Sequence, residues 1–247
     1  MTHKIITAAA LAIGDELLSG RTRDKNIGHL ANALTQQGID LVEVRIVQDV
    51  QAEIVAALNA LRARCTYVFT SGGIGPTHDD ITADAIASAF NVSIDHDARA
   101  MELLTAHYTS RDMEFTTARQ RMARIPSGAT LIENPVSVAP GFKLDNVYVM
   151  AGVPSVFQAM LENVLPTLEG GAKMLSETVH CPFGEGTIGD RLGQIQKAHP
   201  ETSIGSYPKY DGEKFFTQIV VRSREKTNQD AAVRDINSML SELTKND

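Results

Sequence analysis

The chain has 247 residues and a formal net charge of -7, which suits one larger domain with a small one, or a single large α/β domain. That acidic balance argues against broad binding to nucleic acid or anionic membranes, and no apolar run approaches the roughly 20 residues of a membrane span. With 43% hydrophobic and 21% charged residues, a core can form without a disulfide or metal staple.

The first run, "MTHKIITAAALAIG", is faintly like a secretion signal. Its apolar part is short and "GDE" follows at once, so a buried strand over Ile5 to Ile13 is the better reading. Ile27, Leu30, Ala31 and Leu34 then share one helical face, and Gly38 stops that helix. "LVEVRIV" alternates as a strand over Leu41 to Val47. Asp49 precedes a helix striped by Ile54, Leu58 and Leu61, and "TYVFTS" reads as a short buried strand. A glycine-rich loop and a helix through Ile86 to Phe90 follow. Strands alternating with helices predict a parallel sheet covered on both faces.

Residues 98–124 read as helical with a break near Ser110 to Phe115, ended by Pro126-Ser127-Gly128. "TLIEN", "GFKL" and "VYVMAGVP" are short strands, with Asp145-Asn146 as a hairpin turn. Phe157, Met160, Leu161, Val164, Leu165 and Leu168 form a core-facing helical stripe. Glu169 to Lys173 is a linker, so the expected domains are 1–170 and 174–247. Beyond it the order strand, helix, strand, strand, helix predicts a small α+β domain. Cys65 and Cys181 lack metal-ligand spacing and read as reduced, buried thiols of a cytoplasmic protein.

The chemistry concentrates in "TSGGIGPTHDDIT", Thr70 to Thr82, where a strand ends and a helix begins. Ligands bind at the carboxyl ends of strands in open α/β sheets. Gly72, Gly73 and Gly75 let backbone N–H groups approach an anion, and the helix start adds free donors. Thr77 offers a hydroxyl. Asp79 and Asp80 would repel a phosphate unless a divalent cation bridges them, since hard oxygen ligands suit magnesium. The other reading is a glycine turn with a capping aspartate. Asp15 and Glu16 after the first strand, and Asp49 after the second, fall on the same rim if the strands are parallel. Acids at helix starts also simply offset the helix dipole. His78, the basic run Arg119, Arg121 and Arg124, and the turn between Lys209 and Lys214 each read as ligand-facing or merely solvated and paired.

"IGDELLSG", the glycine loop, "ARQRMARIPSGATLIENPVSVAPGF" and "VYVMAGVPS" together resemble the molybdopterin-binding fold of molybdenum-cofactor biosynthesis proteins. They are most similar to its competence/damage-inducible protein A branch and to the related domain of eukaryotic FAD synthases. The resemblance implies a three-layer α/β/α domain with a mostly parallel sheet, and a small KH-like α+β domain after it. It implies a nucleotide or pterin phosphate as ligand, and a homo-oligomer. Asp80 and Asp49 match the family's acids and are the catalytic expectation, with Asp80 and Asp79 for a metal. Ser71, Gly72, Gly73, Gly75, Pro76 and Thr77 match the phosphate loop. Gly14, Asp15 and Glu16 match the GDE element, and Asn134, Pro140 and Gly141 complete the binding set.

Some members of that branch are similar to ADP-ribose pyrophosphatases using magnesium, manganese or cobalt. That makes pyrophosphate hydrolysis the leading expectation. A molybdopterin-binding or adenylating role, or a non-catalytic nucleotide-binding module, are the alternatives. Two positions depart from the branch: Ser137 where glycine is usual, and Ala151 where proline is common. The amidohydrolase domain many members carry is not expected here, nor is nucleic-acid binding, since the tail lacks a GxxG clamp.

Overall fold

The computed structural model describes residues 4–246. Residues 1–3 and 247, the outer limits of the expected domains, lie outside them. The chain divides into two compact units, Met1–Gly171 and Ala172–Asp247.

The first unit runs β1 (Ile6–Ile13), α1 (Asp15–Leu18), α2 (Asn26–Gln36), β2 (Ile39–Val47), α3 (Gln51–Arg62), β3 (Tyr67–Ser71) and α4 (Thr82–Phe90). It continues with β4 (Ile94–His96), α5 (Ala98–Thr109), α6 (Thr117–Gln120), β5 (Arg124–Pro126) and β6 (Thr130–Ile132). β7 (Gly141–Leu144), β8 (Val147–Met150) and α7 (Pro154–Val164) complete it. Six strands form one sheet in the order β2-β1-β3-β8-β7-β6. β2, β1, β3 and β8 are mutually parallel, while β7 runs antiparallel between β8 and β6.

β1 shows why the sheet sits between two helical layers. Side chains alternate along a strand, and both faces of "ITAAALAI" are apolar. Ala9, Leu11 and Ile13 pack with Ile54, Leu58 and Leu61 of α3, Ile86 of α4 and Leu104 of α5. Ile6, Ala8 and Ala10 pack with Leu30 and Leu34 of α2 and with Phe157, Met160 and Leu161 of α7. A strand buried on both faces must read as a continuous apolar run. The three-layer α/β/α expectation therefore holds, and the Phe157 stripe is core.

The Asp145-Asn146 turn joins β7 to β8, with Leu144 opposite Val147. Asp145 takes the left-handed conformation at φ 53. The Asn146 amide donates to the carbonyls of Arg62 and Cys65, both at 3.0 Å, tying the turn to the end of α3.

The helical expectation for residues 98–124 fails at its end. Arg121–Ala123 is a 3-10 turn, and Arg124–Pro126 is a strand paired antiparallel with β4. Both strands are three residues long, too short to carry a period. The sequence reading therefore missed β4 and β5, its helix ending on Arg124, the first residue of β5.

The second unit has β9 (Leu175–Cys181), α8 (Glu185–Ala198), β10 (Ser203–Tyr210), β11 (Phe215–Ser223) and α9 (Lys226–Asn246). Its antiparallel sheet, ordered β10-β11-β9, packs Val179, Ile219 and Val221 on Ile188 of α8 and on Ile236 and Met239 of α9. This is the predicted small α+β domain. Among the described residues, no helix is long and apolar enough to cross a membrane, and both cysteines are buried and unpaired.

Phe157 is 1% exposed at the centre of the α2–α7 layer. Phe157→Ala should cost about 3–5 kcal/mol, read as a lower urea midpoint for the transition of the first unit. An unchanged midpoint would contradict this packing.

Candidate functional site

β1, β3 and β8 are parallel neighbours, so their carboxyl ends share one rim. A cleft of about 620 Å³ opens there, lined by Gly14, by Gly72 to Pro76, and by Ala151 to Pro154. Three close approaches build its floor. Gly72 adopts φ +109, and a Cβ on it would lie 2.2 Å from the Ile13 carbonyl oxygen. The Gly72 N–H donates to the Met150 carbonyl at 3.2 Å. A Cβ on Gly152 would come within 3.2 Å of the Gly72 Cα. No side chain fits between these strand ends, which is the local reason for glycine.

Buried Thr82, the first residue of α4, folds the loop back onto its helix. Its hydroxyl donates to the Gly72 carbonyl at 2.9 Å and its N–H donates to the Gly73 carbonyl at 2.9 Å. A Cβ on Gly73, at φ +67, would strike the Thr82 hydroxyl at 2.1 Å. Asp80 closes the far side. One of its carboxylate oxygens accepts from the Thr77 N–H at 2.8 Å and from the Thr77 hydroxyl at 2.5 Å. The N–H groups of Gly73, Ile74 and Gly75 have no hydrogen-bond partner among the described residues.

Neither aspartate caps α4: the capping position is Ile81, with no side-chain hydrogen bond. The capping reading of Asp79 is thereby replaced. Asp80 holds the loop, and exposed Asp79 is turned to solvent at the cleft edge. The Thr77 hydroxyl, the Asp79 N–H and the neighbouring His78 hold the Asp79 carboxyl below its ordinary range.

Asp49 forms the opposite wall with Glu16. Its carboxylate accepts the Asp15 N–H at 3.0 Å, and the Gly14 N–H donates to the Val47 carbonyl at 3.1 Å. These bonds tie the end of β1 to the end of β2. Burial pushes the Asp49 carboxyl above its usual range; the Asp15 N–H opposes this, while Asp15, Glu16 and Asp79 add to it as like charges. Among the described residues, no Lys or Arg lines the cleft. Also among them, no three His, Cys, Asp or Glu side chains converge to hold a metal by themselves.

The remaining expected site residues are placed as follows. Asn134, 6% exposed, lines the cleft and organises residues 134–139. Its carbonyl accepts from the N–H groups of Val136 and Ser137 at 3.0 and 3.1 Å. Its amide donates to the Ser137 hydroxyl at 2.6 Å and the Ala139 carbonyl at 2.8 Å. This holds Val138 at φ 68, a region that strains a β-branched residue. Ser137, the departure from glycine, thus anchors the loop by its hydroxyl. Pro140 and Gly141 are buried outside the lining; a Cβ on Gly141 would meet the Val149 carbonyl at 2.3 Å. Ser71 and Thr77 also stand outside the lining, as does Asp15, which reaches the site through its N–H.

The basic run is committed to the protein. Arg124 makes a bidentate pair with Asp84 at 2.6 and 2.7 Å. Arg119 stacks over Tyr108 and donates to the Glu114 carbonyl. Arg121 donates to the Asp80 carbonyl at 3.4 Å, behind the loop. His78 is fully exposed.

Sequence reasoning missed Asn26. Its buried amide donates to the Ser71 hydroxyl and to the Gly152 carbonyl, both at 2.8 Å, joining two loops of the cleft. In the sequence it looks like a helix-start residue; only the folded chain shows that Asp24 accepts the first N–H groups.

A mostly parallel sheet between two helical layers, with a glycine loop and acids on one rim, defines a three-layer α/β ligand-binding domain. Residues 9–170 match the family described as a probable molybdopterin binding domain, and residues 173–247 match the FAD synthase middle domain. A protein of Archaeoglobus fulgidus is 30% identical over 94% of this chain and 97% of its own length. A CinA-like protein of Desulfosudis oleivorans is 32% identical over 91% of this chain, which spans 57% of that relative. The crystal structure of CinA from Thermoplasma acidophilum, whose function is unknown, has a TM-score of 0.61 at 31% identity. That likeness covers 66% of this chain and 98% of that one. The chain belongs to the molybdopterin-binding domain family as a CinA-type member.

Two outcomes test this geometry. Gly72→Ala should cost about 2–3 kcal/mol, because both its dihedral and its contact with Ile13 forbid a Cβ; a wild-type melting temperature would contradict the floor. For Asp49, the raised carboxyl stabilises the fold at low pH, and this is lost as pH rises through the folded value. Asp49→Asn should therefore melt above wild type at pH 7, with the gain shrinking as the pH falls toward 3.8, the ordinary carboxyl value. A gain independent of pH would contradict the assignment.

Proposed function

We propose that the cleft binds a pterin through its phosphate, with molybdopterin as the ligand that the family description favours. The observation that carries this reading is the run of unpartnered N–H groups at Gly73, Ile74 and Gly75, on a loop leading into a helix. Such donors suit an anion. Ile74, Met122, Val153 and Val156 give the same cleft an apolar side for a flat ring system. The binding is a small-molecule function in a cytoplasmic setting, which two buried unpaired thiols suit. Nucleic acid is a poor fit to a cleft walled by carboxylates.

A second reading, hydrolysis of a pyrophosphate such as that of ADP-ribose, draws on the acids. Glu16, Asp49, Asp79 and Asp80 line the cleft with no basic side chain among the described residues. A phosphate brought there needs its charge offset. The donor set fits a divalent cation shared between one or two carboxylates and the ligand phosphates, as magnesium favours. When bound, such an ion supplies charge neutralisation and polarises phosphoryl oxygens. Asp80, braced by Thr77, and Asp79 are the residues that would hold it. Asp49, lifted above the ordinary carboxyl range by burial, is suited to take a proton from an attacking water.

Thermal shift separates the readings, because a ligand at 100 times its Kd stabilises the fold by about 2.7 kcal/mol. A rise with molybdopterin or another pterin phosphate, without hydrolysis of ADP-ribose, is the expected result. AMP released from ADP-ribose only with magnesium, manganese or cobalt, and lost in Asp80→Ala, would establish the second reading instead. No shift and no AMP would sink both.

A further inference from the structure

The second unit covers only one face of its sheet with helices. Side chains alternate along a strand, and Val179, Ile219 and Val221 pack on α8 and α9. The register of β10 on β11 and of β11 on β9 sets the intervening residues together on the opposite face. There Tyr207 is 44% exposed. A Cβ on Gly205 would come within 3.0 Å of the Tyr207 ring, so glycine leaves that ring room to lie along the sheet. The rings of Phe216 and His180 lie 4.9 Å apart, tilted by 39°. Lys209 stands opposite Phe216, and Arg222 lies toward the other end of β11. Both cations are exposed, and neither pairs with an acid among the described residues. The remaining positions of the face are serine, threonine, glutamine and valine, so none is acidic. Asp211, in the hairpin turn at one end, is engaged: its carboxylate accepts the N–H groups of Glu213 and Lys214 at 2.9 and 2.8 Å.

We infer that this open face binds single-stranded nucleic acid, its bases stacked on Tyr207 and on the Phe216–His180 pair, its phosphates on Lys209 and Arg222. Exposed rings and unpaired cations on one acid-free surface answer the two features of an unpaired strand: bases with a free π-face and an anionic backbone. A duplex hides its base faces and cannot use the rings. Length favours a strand over a single nucleotide. Six positions of β11 separate Phe216 from Arg222, about 20 Å, which only several linked nucleotides span. The site is local: the chain's net charge of -7 opposes binding elsewhere, so stacking and two phosphate contacts carry the affinity. No GxxG clamp is needed, because the surface is assembled from alternate residues of three strands that become neighbours only in the folded unit.

The test uses the full chain and a fluorescent oligouridylate of about eight nucleotides, followed by anisotropy. Wild type should bind it saturably. The logarithm of the binding constant should fall with that of the salt concentration at a slope of about -1.4, about -0.7 for each phosphate contact. Lys209→Gln and Arg222→Gln should each flatten the slope by about 0.7, a change that partial unfolding does not produce. Tyr207→Ala should weaken binding at least about fivefold and leave the slope unchanged. Arg234→Gln, on α9 behind the sheet, should match wild type. Uridine monophosphate and a duplex of the same length should each compete at least about tenfold more weakly than the strand. No binding at about 100 μM, a Tyr207→Ala affinity equal to wild type, a slope unmoved by both cation variants, or equal competition by the nucleotide or the duplex would overturn the inference. Self-association lost in Tyr207→Ala, without strand binding, would give the face to a second copy instead. If Tyr207→Ala does not fold, the slopes of the two cation variants decide the matter alone.

Discussion

The site depends on one steric constraint: the backbone at Gly72 lies against the Ile13 carbonyl on one side and Gly152 on the other. The ends of β1, β3 and β8 can converge only because no Cβ stands between them. That convergence puts three loops around one cleft. Thr82 then ties the loop at Gly72 and Gly73 to the first residue of α4. The alanine-rich β1 serves the same end, because small side chains let helical layers close on both faces of the sheet.

Charge is the second organising feature. The cleft carries unpartnered N–H groups on one wall and carboxylates on another, with no Lys or Arg among its described lining residues. The basic residues nearby are spent elsewhere, Arg124 on Asp84 and Arg121 on the backbone behind the loop. Burial pushes the Asp49 carboxyl above its ordinary range, and the neighbouring carboxylates add to that against the Asp15 N–H. A ligand with a phosphate answers the amides. In the second reading proposed above, the acids would share a cation with that phosphate.

Much of this was legible in the sequence. Apolar periods marked most of the long elements, β10 being mostly exposed and showing none, and the glycine loop stood out because its residues serve the backbone rather than packing. What stayed hidden was short or relational. β4 and β5 have three residues each and show no period. Asn26 matters through Ser71 and Gly152, partners 45 and 126 positions away. Asp80 reads from sequence as a catalytic acid, but the fold first gives it a bracing role through Thr77. Pro140 and Gly141 lie within a family motif, yet Gly141 is required by its contact with β8. Motif membership and contact with the cleft are different properties, and only the folded chain separates them.

The central claim is that the amides of Gly73, Ile74 and Gly75 receive the phosphate of a pterin or nucleotide. Amide hydrogen exchange, resolved by residue with and without a pterin phosphate, tests it most directly. The account predicts slowed exchange at these three amides and little change in the second unit. Unchanged exchange across residues 72–77, with protection elsewhere in the chain, would contradict it.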